Sequence, residues 1–284
     1  MDNILDIKYF SKILTDSYAA LFDDFWSMDV ENLYEEEIYK STVLKLTEKW
    51  QKTEITELGK TPCDAIREYF EKNRSFDDAM FIYRDFAVNG VADVPEVVVN
   101  IVLSFENIES HIVETIDNMD YSLNGDEVLS NDETKILYEF VALVRLAKYI
   151  KSDSLNNKIM EAFIKCPEKN YSIHECLSET LIENGYISEM IKFIENAELL
   201  GIKEESVLQM IAKQPHSDDI YYCIKKCLKR EPDDCGMLFQ IAADYGDGRL
   251  IPIMRKIAKK KLAEIYATGK TVYTKSAESE EFFI

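Results

Sequence analysis

Four side chains late in the chain have types and spacing that could hold a metal: His216, Cys223, Cys227 and Cys235. Cys223 and Cys227 stand four apart, which on a helix puts both thiols on one face within reach of a shared ion. Structural zinc sites more often draw their ligands from closer pairs on turns. The same two cysteines also fall in the stripe Ile220, Ile224, Leu228, where a free cysteine packs as a small hydrophobe. They read as core residues, and no metal or cofactor is assigned. His174 and Cys176 are two apart, hence on different faces of a helix, and spacing gives them no nucleophile–base contact. Gly59-Lys60-Thr61 has the last residues of a phosphate-binding loop without its upstream glycine, and Thr61-Pro62 reads better as an N-cap followed by a first helical residue. No G-x-S-x-G or H-E-x-x-H occurs, and no catalytic residue is assigned.

The remaining chemistry is electrostatic. Basic residues gather late, as Lys225, Lys226, Lys229 and Arg230 and then Arg255, Lys256, Lys259, Lys260 and Lys261. Of these, Lys225, Lys226, Lys229, Arg255, Lys256, Lys259 and Lys260 are the candidate partner-binding residues. The 284 residues carry a net charge of −20, unevenly spread. Residues 1–150 hold 31 acidic and 14 basic side chains, net −17, whereas residues 151–284 hold 22 and 19, net −3. The acidic half repels nucleic acid and anionic membranes and suits a basic protein partner, while the late basic clusters attract acidic ones.

The elements that position these residues are helical. Glycine (9) and proline (6) are scarce, and Glu, Lys, Leu and Ile dominate. Apolar residues recur at three- and four-residue spacing over 4–26 and 31–52, a hairpin expected to cap one end of the molecule over residues 1–58. Helices follow from Thr61, from Ser75 to a stop at Asn89-Gly90, and over 107–119. The valine-rich run 95–105 has strand propensity, but Asp93 as a cap, Pro95 in the first turn and helical neighbours favour helix. A loop around Asn124-Gly125 marks the expected internal boundary, and Asn131 is expected to cap the next helix. Helices then follow over 155–164, 173–183, 187–200, 204–213 and 218–229. Residues 61–268 read as stacked helix pairs within a single domain, 1–268, and residues 269–284 as a mobile acidic tail.

The last pair is the most explicit. A stripe of Met237, Leu238, Ile241 and Ala242 ends at Gly246-Asp247, and a second stripe of Leu250, Ile251, Met254 and Ile257 follows, with Pro252 in its first turn. Ile182, Ile211 and Ile241 sit late in successive first helices, and Ile191, Ile220 and Ile251 early in the second helices. Over residues 172–262 this resembles a HEAT-like or armadillo-type helical repeat, whose inter-helix turn often reads Gly-Asp followed by an apolar pair and Pro. The resemblance implies an all-α fold, an α-α superhelix of antiparallel pairs with second helices lining a concave surface. It also implies a non-enzymatic scaffold or regulatory binding module for a protein partner. Some HEAT-like proteins are DNA glycosylases for alkylated bases, so nucleic-acid binding through the late basic cluster is the alternative reading. Against it, most of the chain is acidic, and its two tryptophans, Trp26 and Trp50, lie far from that cluster in sequence. No apolar run reaches the roughly 18 residues of a membrane span, and the N-terminus lacks the basic start and apolar stretch of a signal peptide, so a cytoplasmic location is expected.

If Cys223 and Cys227 are core residues, the purified protein holds no stoichiometric zinc by elemental analysis. A chelator then leaves its melting temperature unchanged, whereas a drop of several degrees would make the site structural.

Overall fold

The computed structural model describes residues 6–26, 36–89, 93–121, 130–230 and 236–268. All regular structure among them is helical, apart from one isolated bridge between Ile55 and Lys60. The expected stop at Gly90, the boundary at Asn124-Gly125, Cys235 and the tail at 269–284 lie outside the described residues. The chain divides into two compact units, Met1–Met119 with Leu129–Leu155, and Asp120–Val128 with Asn156–Ile284.

The first unit contains α1 (Ile7–Trp26), α2 (Glu36–Lys52), α3 (Pro62–Lys72), α4 (Phe76–Asn89), α5 (Glu96–Leu103), α6 (Ile108–Asn118), α7 (Asn131–Arg145) and α8 (Ala147–Ile150). Helix α4 is its hub and packs on α1, α5 and α7, while α1 also packs on α2. Tyr18 fills the centre, with Phe22, Trp50 and Phe86 ring centroids 4.9, 5.0 and 5.6 Å away. Its hydroxyl hydrogen-bonds with the Thr47 hydroxyl and donates to the Asp93 carbonyl, so a buried phenol keeps its polar end satisfied. The valine-rich run is helical, as expected. Val98, Val99 and Val102 form one buried face of α5, and that packing outweighs the strand preference of β-branched side chains. Two expected caps differ. Pro95, not Asp93, precedes α5, and it brings no side-chain cap. Helix α7 is capped by Ser130, one residue before Asn131, through a reciprocal box with Glu133.

Helix α9 (Asp153–Lys165) begins in the first unit and continues in the second. The second unit goes on with α10 (Tyr171–Glu183), α11 (Ile187–Asn196), α12 (Ile202–Ala212), α13 (Asp218–Arg230), α14 (Gly236–Tyr245) and α15 (Ile251–Thr268). Helices α10, α12 and α14 touch in succession and α11, α13 and α15 do the same; α10 packs on α11, α12 on α11 and α13, and α14 on α13, while α15 also meets the short turn Gly248–Leu250 that precedes it. Gly246 adopts φ +71° after α14, a left-handed C-cap that an L side chain would strain, and the Asp247 carboxylate then accepts from the Arg249 N–H to start the next turn. Helix α11 stops at Asn196 instead of running to Leu200, because Ala197 turns to extended backbone.

Burial corrects the register of the repeat. Ile251 is 47% exposed, whereas Leu250 is fully buried. The buried positions line up as Leu181, Ile211 and Ile241 in the first helices and Met190, Ile220 and Leu250 in the second, each 30 residues apart. By apolar spacing alone Ile182 and Ile191 were equally good markers, since both lie beside these positions and both are buried.

The register has a direct check in urea unfolding. Leu250→Ala is expected to cost about 2–5 kcal/mol, the range for a buried large-to-small change. Ile251→Ala is expected to cost about 0.5 kcal/mol or less. Equal losses would restore Ile251 to the core.

Candidate functional site

The register carries the basic residues with it. Shifting α13 by 30 residues places Lys225 on Arg255, Lys226 on Lys256, Lys229 on Lys259 and Arg230 on Lys260. Two adjacent, packed second helices therefore repeat one basic quartet in the same register. Lysine and arginine in the last turn of α13 complement its dipole. Dipole complementarity does not explain the second quartet, because α15 continues to Thr268 and its four cations lie mid-helix.

The side chains differ in what they already hold. The Lys225 ammonium lies over the rings of Tyr221 and Tyr222, at 5.1 and 5.4 Å. Lys226 pairs with Glu195 of α11 at 3.3 Å. Arg230 turns inward and donates to the carbonyls of Ile194 and Ala197 at the end of α11. Lys229, Arg255, Lys256 and Lys259 are exposed and carry no ion pair with any described residue. Arg249 was not singled out from sequence. It stacks on Tyr221 at 4.0 Å and binds Asp247 and Asp218, whose carboxylates hold its guanidinium charged, so it contributes little free charge. The exposed strip also displays apolar surface, namely Tyr222, Ile251 and Leu262. The candidate partner-binding residues thus share one pair of neighbouring helices, and Arg230, absent from that set, is spent on a helix end.

The other chemistry-bearing residues resolve differently. Cys223 and Cys227 are buried between Ile220, Ile224 and Leu228, and the neighbouring thiol and burial together push the Cys223 pKa far up, so it stays a thiol. Gly59 and Lys60 belong to a tight turn at φ +60°, Lys60 pairs with Glu68, and the Thr61 hydroxyl caps α3 through the Asp64 N–H. The backbone N–H of His174 lies against the Cys166 thiol, and the Lys203 charge acts on its ring. Lys203 is buried and donates to the Phe163 and Cys166 carbonyls at 2.6 and 3.0 Å, with its ammonium 4.4 Å from the Phe163 ring centroid. Burial pushes the Cys166 thiol up to about 11 against the pull of Lys203, which leaves it protonated and unreactive at neutral pH. Burial, then the Lys203 charge, lowers the His174 pKa, and neither ring nitrogen has a well-formed hydrogen bond. The trio is an interior helix cap with a neutral imidazole beside it.

Sequence reasoning missed one further arrangement, a groove of about 450 Å³ in the first unit. Arg84 there lies 3.1 Å from His111 Nε2 and 4.0 Å from Glu139, and Lys135 is 3.9 Å from Glu139. These residues come from α4, α6 and α7, with no local motif to link them. Burial and the facing guanidinium lower the His111 pKa.

His174 makes the stability depend on pH. Unfolded, the ring titrates near 6.5, and in the fold its pKa is lower. On acidification through 6.5 the unfolded chain takes up the proton first, so the fold loses stability until the pH passes below the folded value. One proton contributes at most about 1.4 kcal/mol per pH unit. His174→Leu should flatten the stability profile between about pH 7 and pH 5, the range in which histidine titrates. A slope equal to the unmodified protein's would contradict this assignment. Comparison with protein-family models, curated proteins and solved structures finds no match to this chain.

Proposed function

We propose that the protein is a non-enzymatic binding module, a HEAT-like or armadillo-type α-α superhelix that holds a protein partner on its second helices. The supporting observation is the pair of in-register basic quartets on α13 and α15, flanked along the two helices by exposed Tyr222, Ile251 and Leu262. Aromatic and apolar anchors within a charged rim are what a salt-sensitive protein interface requires. The superhelical reading rests on the 30-residue register of the second unit and its two runs of packed helices. Among the described residues no helix is long and apolar enough to cross a membrane. Nucleic-acid binding by the same four free cations is the second reading. It is disfavoured because Asp218 and Asp219 on α13, Asp247 in the turn before α15 and Glu195 on the adjacent α11 lie close by in the fold, where a phosphate backbone would be repelled.

A photo-crosslinking residue placed at Tyr222 or at Leu262 is expected to yield a discrete protein adduct in native lysate, weakened at high salt. The same residue at Tyr9, exposed in the first unit, is expected to give none. Adducts of equal yield from all three positions, or from none, would remove the binding face from α13 and α15.

A further inference from the structure

One ion pair shows what the basic strip lacks. Lys226 on α13 reaches back to Glu195 on α11, the preceding second helix. Thirty residues later, the places of Glu195 and Lys226 are taken by Lys225 and Lys256. The contact that is acid-to-base between α11 and α13 becomes base-to-base between α13 and α15. Both lysines lack an anionic partner among the described residues, and Lys225 is held only over the Tyr221 and Tyr222 rings. Lys229 and Lys259 extend the same deficit one turn further.

We infer that the partner is an acidic protein segment, one of whose carboxylates lies between Lys225 and Lys256 in the role that Glu195 fills one repeat earlier. This rests on the binding-module reading and adds the chemistry of the ligand. Packed helices lie about 8–10 Å apart, and a polyproline II segment advances about 3.1 Å per residue with three residues per turn, so every third side chain faces the same way. A segment crossing from α13 to α15 therefore presents carboxylates to both helices when Asp or Glu recurs about every third residue. Exposed Tyr222, Ile251 and Leu262 flank the lysines, so apolar residues between the carboxylates complete the motif. Carboxylates suit the strip better than phosphates because each quartet is a short island of positive charge on a chain of net −20.

The probe is a capped, fluorescently labelled peptide with Glu at every third position and Leu or Ala between, read by anisotropy on the full chain at low and moderate salt. Binding is expected to weaken at moderate salt and to fall by at least about tenfold in Lys225→Glu and in Lys256→Glu, each of which supplies the missing anion from within the chain. The Glu→Gln peptide is expected not to bind, and Lys135→Glu, in the first unit, should leave affinity unchanged. If Lys225→Glu or Lys256→Glu binds as the unmodified protein does, the inference is wrong. It is equally overturned if single-stranded DNA binds as tightly as the peptide and loses affinity in the same variants. Should the peptide fail while the Tyr222 adduct still forms, the carboxylate inference falls and the binding-module reading stands. Absence of both removes the two together. Thermal melts of each variant confirm folding before any loss is scored.

Discussion

A helix that ends against other helices leaves its last carbonyls partly or wholly shut off from water, and an unpaired buried carbonyl costs about 1–3 kcal/mol. The second unit meets this twice in one way. Lys203, from α12, closes the end of α9 through the Phe163 and Cys166 carbonyls. Arg230, from α13, closes the end of α11 through the Ile194 and Ala197 carbonyls. In both cases the receiving carbonyls are three residues apart, and the donor comes from a helix further along the chain. A cation is well matched to the negative end of a helix dipole, and its long stem can cross the gap between packed helices. These contacts explain why Lys203 is buried and why α11 can stop at Asn196 without a glycine cap.

Much of the helical content was legible in the sequence, because apolar spacing and cap chemistry are local. Thr61 with Pro62 and Gly246 with Asp247 behave as their types dictate. Where two adjacent residues were equally suitable, local rules could not choose. Asn131 lost the cap to Ser130, whose partner Glu133 sits at the right distance for a reciprocal box. Ile251 lost the core to Leu250, because only packing against the preceding pair decides which of two neighbouring apolar residues points inward. The valine-rich α5 was readable only through its neighbours.

The candidate site divides along the same line. The lysines and arginines were visible as clusters, but their meaning depended on the register. Once Leu250 replaces Ile251, both quartets coincide, Arg230 is seen to be engaged, and the Glu195–Lys226 pair becomes a template for its successor. Nothing local could have joined Arg84, His111 and Glu139, which are brought together by three helices far apart in sequence. Lys203 was equally hidden, since it reads as an ordinary charged residue near the start of a helix.

Helix α15 packs on α13 and on the turn that precedes it, and none of its side chains with a described environment is fully buried. In a stack whose members touch only their neighbours, such an element opens more easily than those inside. It also carries half of the cationic strip. A bound anion that spans Lys225 and Lys256 would therefore act as a clasp, holding a weakly anchored helix against its neighbour. Occupancy and local order become linked: whatever binds there slows the opening of α15, and whatever loosens α15 weakens the binding.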